Sequence, residues 1–226
     1  MKQLFTQSVQ LLNAHLGWVL FVGICNTQLL SGEIASNLSL LGIIVSFIMG
    51  IIIYGRIIAQ IQGRDALPAF KIFKENWFNY IIVTMLLGLP LFLYAQLSKL
   101  FPIPVEFSIF GKEAIRALIN TLAIYVLPLV FIKRLHLLAI LAGIVFLIQN
   151  FKKSIPIIFM IVCMFFIYAA MWFWLMQQTQ SDISLFSLLP VMALVNISVS
   201  YLTFLIFTAA SLVLVAMPLT KSKPRL

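Results

Sequence analysis

Apolar residues run along the chain in long blocks instead of alternating with polar residues. A transmembrane helix needs about 20 consecutive, mostly apolar residues. Blocks of this length predict six spans, at approximate positions 13–31, 38–57, 78–97, 114–132, 155–177 and 190–216. We therefore predict an all-α integral membrane protein with a single membrane domain over residues 1–226.

Shorter amphipathic segments precede the first, third and fifth spans, at about 3–12, 65–77 and 136–150. In the second of them, one helical face carries apolar residues while Lys71, Lys74 and Glu75 lie away from it; the apolar face holds Ala66, Phe70, Phe73 and Trp77. Aromatic residues opposite lysines are typical of a helix lying in the headgroup layer. We expect three interfacial helices on the cytoplasmic side.

The apolar run Leu137–Ile148 is the ambiguous one, because 12 residues are few for a span. Charge distribution favours six spans over seven, since Lys and Arg concentrate on the cytoplasmic side of membranes. Six spans with both termini inside leave only Lys99, Lys112 and Arg116 outside, whereas a seventh span would divide the 15 basic residues into 7 and 8. The 12 residues placed inside are Lys2, Arg56, Arg64, Lys71, Lys74, Lys133, Arg134, Lys152, Lys153, Lys221, Lys223 and Arg225.

The N-terminal region is expected to be retained. Polar residues interrupt its first twelve positions, and no A-x-A site follows the first apolar run. Short loops and high apolar content indicate a multi-pass protein of a bacterial inner membrane with both termini in the cytoplasm.

An asparagine closes each amphipathic segment just where a span begins. These residues, Asn13, Asn76 and Asn150, are separated by 63 and 74 positions. The spacing suggests three copies of one unit, an interfacial helix followed by a helical hairpin. Chance similarity among apolar segments is the alternative.

The residues Phe70-Lys71-Ile72-Phe73-Lys74-Glu75-Asn76-Trp77, followed by a span with Gly88-Leu89-Pro90, resemble a known group. Its members are six-span bacterial inner-membrane proteins of unknown function, grouped with glycerophosphodiester phosphodiesterase membrane domains. The resemblance implies a six-helix bundle with a lipid-linked or accessory role. Some members carry a catalytic domain after the membrane part, but we expect no such activity from the short tail after the sixth span.

Composition agrees with a lipid environment: 63% of the 226 residues are hydrophobic and 9% are charged, against about 45–50% and 25% in soluble domains. The net charge of +9 does not indicate nucleic-acid binding, because the basic residues lie at span ends. Eight of them form an expected belt for anionic lipid headgroups, namely Arg56, Arg64, Lys71, Lys74, Lys133, Arg134, Lys152 and Lys153.

Acidic residues fall in loops or at span ends in this assignment, which argues against an ion-coupled carrier. Glu113 and Arg116 are three positions apart and are expected to pair at the outer end of the fourth span. The pair is interpreted as an interfacial anchor, with an external ligand site as the alternative.

Small residues at four-residue spacing in the second span, Gly42, Ser46 and Gly50, let another helix approach closely. Asn196, Ser200 and Thr203 form a polar stripe in the sixth span. Both stripes are expected to pack helices within the bundle. The alternatives are a docking face for a membrane-protein partner and a polar cleft.

Neither a nucleophile elbow, nor a phosphate-binding glycine loop, nor an HExxH motif is present, and neither Cys has another Cys or a His at metal-ligand spacing. We therefore expect no enzymatic activity, no cofactor and no metal site. The favoured function is a scaffold, assembly factor or accessory subunit of a membrane complex. The alternative is a small carrier for a lipid or apolar solute, which should show a central cavity lined by Asn196 and Ser200.

Overall fold

A computed structural model describes residues 2–27, 33–65, 67–101, 104–179 and 185–216. Lys221, Lys223, Arg225 and the last residues of the predicted span 13–31 lie outside them. The described residues form helices and no strands, so the all-α prediction is confirmed. The helices are α1 (Lys2–Asn13), α2 (Leu16–Cys25), α3 (Glu33–Ile61), α4 (Ala69–Leu100), α5 (Val105–Leu122), α6 (Val126–Lys133), α7 (Leu138–Gln149), α8 (Phe151–Thr179) and α9 (Leu185–Ala216).

Five stretches of the described helices are long and apolar enough to cross a membrane: Leu40–Ile61, Ala69–Leu100, Phe107–Lys133, Phe151–Leu175 and Leu189–Ala216. The bent pair Gln3–Asn13 and Leu16–Cys25 makes a sixth if it is counted as one span. The chain is thus a multi-helical membrane protein. We call the end of the bundle that holds Ile61, Lys133 and Phe151 the basic end.

Helices α1 and α2 meet at an angle of 76°. His15 lies in the break, where its backbone N–H donates to the carbonyl of Leu12. Ser8 and Leu12 are fully buried, and α1 contacts α9. One face of α1 therefore packs against protein.

Helix α4 contains most of the predicted amphipathic segment 65–77, from Ala69 on. The segment continues without a break into the third span, so that α4 has 32 residues. Asn76 does not end the helix, and its side-chain amide donates to the carbonyl of Ile72 one turn earlier.

The fourth span is divided into two helices, whereas it was predicted as one. It consists of α5 and α6, separated at residues 123–125, and its apolar stretch starts at Phe107 instead of residue 114. The short helix α7 has one face buried on the protein, at Ala139, Gly143 and Phe146. Asn150 separates α7 from α8, while Asn76 lies inside α4, so the threefold repeat stays a prediction.

The core is centred on α9, which contacts α1, α2, α3, α6 and α8. Several helix pairs approach closely at a glycine, and three of these contacts connect α2 to α9, α7 to α6 and α3 to α4. A Cβ atom at Gly23 would lie 2.6 Å from the Cα of Ile197, one at Gly143 would lie 3.0 Å from the backbone nitrogen of Val126, and one at Gly55 would overlap Ile72. The last two contacts lie nearer the basic end and fix α6 to α7 and α3 to α4.

Candidate functional site

A polar stripe on α5 forms the centre of the candidate site. Glu113, Arg116 and Asn120 follow one another at i, i+3 and i+7, which places them on one face of the helix. Arg116 Nη1 donates to Glu113 Oε2 over 2.9 Å. The carboxylate side of this ion pair is 2% exposed and the guanidinium side 32% exposed.

Glu113 corrects the expectation that no acidic residue lies within a span. It falls inside the apolar stretch Phe107–Lys133 and is buried in the bundle. A charged carboxylate is costly in such a place unless a partner neutralises it. The carboxylate of the pair is therefore packed between helices, and its position at the outer end of the fourth span stays a prediction.

Helix α8 packs on α5 around this pair. The Arg116 guanidinium carbon lies 5.3 Å from the ring centroid of Tyr168, within the range of a cation–π contact. Phe110 and Phe165 meet edge to face with ring centroids 5.2 Å apart. These contacts hold the guanidinium at the α5–α8 interface.

A cavity of about 340 Å³ lies beside Arg116. Helices α3, α4, α5, α6, α8 and α9 contribute to its wall, as does the break between α5 and α6. The wall is mainly aliphatic, and its polar members are Tyr54, Thr84, Arg116, Asn120 and Thr203. A mostly apolar cavity of this size with a few polar groups is typical of a small-molecule site.

The α4 side of the cavity is formed by a glycine near a proline. Gly88 lines the cavity, and a Cβ atom built on it would meet nothing within 4 Å. Pro90 lies inside the helix and cannot donate to the carbonyl of Leu86. Glycine thus leaves open a volume that a larger side chain at this position would fill.

A second cavity, of about 300 Å³, adjoins the first, because Tyr54 and Thr203 line both. Tyr54 is held by aromatic neighbours, with its ring centroid 4.1 Å from that of Phe207 and 4.9 Å from that of Phe204. Thr203 donates to the carbonyl of Val199. Two residues with fixed side chains therefore separate the cavities.

The small-residue stripe of the second span lies against protein. A Cβ atom at Gly42 would overlap the carbonyl oxygen of Cys25, so Gly42 is where α3 approaches α2. Ser46 and Gly50 line the second cavity, and a Cβ atom at Gly50 would meet nothing within 4 Å. Of the three, only Gly42 is required by a close approach.

The polar stripe of the sixth span is divided. Ser200 and Thr203 line the second cavity, and Thr203 also lines the first. Asn196 donates from its amide to the carbonyl of Met192 in its own helix and is not among the residues lining either cavity. The expected cavity residue Ser200 is thus present and Asn196 is not.

Most cations of the predicted headgroup belt are exposed: Arg64, Lys71, Lys74, Lys133, Arg134, Lys152 and Lys153. Arg134 Nη2 donates to Glu75 Oε2 over 2.8 Å and so connects the end of α6 to α4. Arg56 differs from these seven because it is half-buried, and its Nε atom is buried without a hydrogen-bond partner among the described residues.

Sequence reasoning missed Asn120 and Tyr168 beside the ion pair, and Tyr54 and Thr84 in the wall of the cavity. The stripe Glu113, Arg116, Asn120 was the available signal, because three polar residues on one face of an apolar helix need an internal environment. The other residues come from separate helices, and only the packing brings them together.

Within the described ranges, no group of three His, Cys, Asp or Glu side chains has the geometry to hold a metal ion. Comparison of the chain with protein-family models, curated proteins and solved structures gives no match. The resemblance of the stretch 70–77 to a six-span family therefore stays a prediction.

Proposed function

We propose that the protein is a small carrier for a lipid or for an apolar solute that bears a hydrogen-bond acceptor. The observation that carries the proposal is the cavity of about 340 Å³ with Arg116 in its wall. The apolar wall suits a hydrocarbon body, and the guanidinium suits a carbonyl, carboxylate or phosphate oxygen.

Arg116 retains donors for a ligand. A guanidinium has five N–H groups in a fixed fork, and Glu113 accepts from Nη1. Because Glu113 already balances the charge of Arg116, a neutral molecule with an acceptor can bind without leaving a net charge inside the bundle. An anionic ligand would instead compete with Glu113 for the same cation.

The inward position of the small and polar stripes supports the same proposal. Ser46, Gly50, Ser200 and Thr203 all line the second cavity, which adjoins the first. Polar residues lining a cleft of this kind can contact a bound molecule.

The experiment fills the cavity from the α4 side. Gly88→Leu adds an apolar side chain where nothing lies within 4 Å, so the variant is expected to fold. Wild type and variant are reconstituted in nanodiscs with a photoactivatable fatty-acid methyl ester, a neutral probe with a carbonyl acceptor, and covalent adducts are mapped by mass spectrometry. We expect adducts on cavity residues of the wild type, such as Met164. The variant should give about tenfold fewer adducts, which corresponds to a loss of about 1.4 kcal/mol in binding free energy.

The matched control is Gly17→Leu, because Gly17 is exposed and also has open space at its Cβ position. Its adduct yield should equal that of wild type. Unchanged labelling of the cavity residues in Gly88→Leu would contradict the proposal, as would equal loss in both variants.

An accessory subunit is the second candidate function. The exposed apolar face of α4 is the observation that favours it. Only 6% of the most apolar window of this helix is buried, and Phe78, Met85 and Phe92 are exposed. A partner helix could cover this face as well as lipid does. Stoichiometric co-purification of a second membrane protein that is lost in Met85→Arg, but not in Leu141→Arg on α7, would support it.

The membrane is proposed to be a bacterial inner membrane, with both termini and the basic end in the cytoplasm. The proposal rests on the positive-inside distribution. In a background without Cys25 and Cys163, we expect Lys99→Cys to react with an impermeant maleimide from outside intact cells. Arg64→Cys should react only after lysis, and the reverse pattern would invert the topology.

A further inference from the structure

The bend between α1 and α2 meets the end of α3 at a junction of three side chains, His15, Arg56 and Gln60, which we call the notch. His15, in the bend, is 8% exposed, and its Nε2–H donates to Gln60 Oε1 over 3.1 Å. Arg56 precedes Gln60 by one helical turn and so lies on the same face of α3. Arg56 is also close enough to His15 for the two to interact electrostatically.

Arg56 lacks an anionic partner in this notch. The ion pairs among the described residues are Glu113–Arg116 and Glu75–Arg134, so no described carboxylate pairs with Arg56. Its Nε atom is buried and has no hydrogen-bond acceptor in the described part of the chain. A buried donor of a charged group left without an acceptor costs more free energy than a neutral one.

The position of Arg56 near the end of α3 favours an acceptor from the membrane surface. Arg56 is five residues before the end of α3 at Ile61, which is about 8 Å along a helix axis. Lys71, Lys74 and Lys152 lie exposed near the same end of the bundle. Lipid phosphates occupy this depth, and basic residues here attract anionic lipids.

We propose that Arg56, Gln60 and His15 form a binding site for the phosphate of an anionic phospholipid. The phosphate oxygens would accept from the Nη groups of the half-buried Arg56, since its Nε is inaccessible, and from the amide NH₂ of Gln60, whose Oε1 is already used by His15. The site is separate from the cavity beside Arg116, shares no residue with it, and does not depend on the carrier function.

The experiment uses the full chain in nanodiscs of phosphatidylcholine alone or with about one third phosphatidylglycerol. Retained lipids are identified by native mass spectrometry. We expect wild type to retain phosphatidylglycerol about tenfold above its share in the disc, a factor that equals about 1.4 kcal/mol of preference. Arg56→Gln should lose this enrichment, and Arg56→Lys should keep part of it, because it keeps the charge but loses the planar fork.

The matched control is Arg64→Gln, which removes an exposed cation of the same belt two turns further along the chain. Its enrichment should stay within about twofold of wild type. Exposed charges of the belt attract anionic lipids nonspecifically, without binding the phosphate in a fixed position. Equal loss in both variants, or no loss in Arg56→Gln, would overturn the proposal.

Folding and the source of the phosphate are tested in the same discs. The thermal transition of Arg56→Gln in phosphatidylcholine should equal or exceed that of wild type, because the substitution removes an unpartnered buried donor. If this variant does not fold, Gln60→Ala, which removes a phosphate donor at an exposed position, carries the test. Stabilisation of wild type by 10 mM inorganic phosphate as large as that by phosphatidylglycerol would assign the site to soluble phosphate and overturn the lipid assignment.

Discussion

The hydroxyl groups of Tyr125 and Ser154 lie 2.8 Å apart, and both residues are fully buried. Tyr125 stands at the break between α5 and α6, and Ser154 in the first turn of α8. The Ser154 hydroxyl also contacts the carbonyl of Asn150, and the Tyr125 ring packs edge to face on Phe146. One hydrogen bond thus connects the break in the fourth span to the start of the fifth.

Tyr125→Phe removes this bond and leaves the ring in place. We expect a loss of about 1 kcal/mol in the free energy of unfolding, the usual net value of a buried hydrogen bond. Unfolding in mixed micelles with increasing SDS measures it. Tyr94→Phe is the control, because its bond to the carbonyl of Ser108 is 3.3 Å long and only partly buried, and it should cost less than half as much.

The Glu113–Arg116 pair predicts an asymmetry between its two truncations. Arg116→Met leaves a 2% exposed carboxylate without its cation, which should cost about 3 kcal/mol. Glu113→Gln leaves a guanidinium that is one-third exposed and can reach polar surroundings, so its cost should be about 1 kcal/mol.

The same unfolding measurement tests this asymmetry. The double variant should be more stable than Arg116→Met alone, because the uncompensated carboxylate is gone. Lys112→Met, an exposed neighbour, is expected to change little. Equal costs for the two single variants would show that Glu113 is not effectively buried.

Gly42 and Gly50 lie on the same helix and predict opposite effects of alanine. At Gly42 the added Cβ atom would overlap the Cys25 carbonyl, a backbone atom that cannot move alone, so a loss of about 2 kcal/mol is expected. At Gly50 the space is open, and better helix propensity should add up to about 1 kcal/mol. Similar effects at both positions would contradict the close approach of α3 and α2.

Arg134 ends α6 in the left-handed conformation, with φ of 53°. Glycine adopts this conformation without the cost of about 1 kcal/mol that other residues bear. Arg134→Gly also removes the ion pair with Glu75, but Arg134 is 65% exposed and such a pair contributes little. We expect Arg134→Gly to be at least as stable as wild type.

Valine at position 134 should cost about 2 kcal/mol, because a β-branched residue fits this conformation poorly. Glu75→Gln, which removes only the ion pair, should stay within about 0.5 kcal/mol of wild type. A loss in Arg134→Gly as large as that in Arg134→Val would mean that the arginine side chain, and not the backbone, determines this helix end.

Apolar content was sufficient to predict a multi-helical membrane protein, because burial in lipid depends on composition over about 20 residues. Helix ends depend on single side chains. Asn76 was expected to close an amphipathic segment but lies inside α4, whereas Asn150 does separate α7 from α8. Both side chains donate to the carbonyl four residues earlier, so neither the residue type nor this bond predicts the helix end.

The candidate site was less accessible to sequence reasoning. Pairing of Glu113 with Arg116 follows from their spacing, but burial of the carboxylate depends on α8, which packs on α5. The cavity combines residues from six helices, and Gly88 contributes by the volume it leaves open. A volume between helices has no signature along the chain.

The contacts of Gly55 with Ile72 and of Gly143 with Val126 lie toward the basic end, whereas Gly88 and Arg116 lie nearer the middle of their spans. None of these four contact residues lines the cavity, although their neighbours Tyr54 and Leu127 do. Close packing and open volume therefore belong to different residues of the same helices. Substitutions at lining residues such as Gly88 should alter the preferred guest molecule while leaving the glycine contacts unchanged.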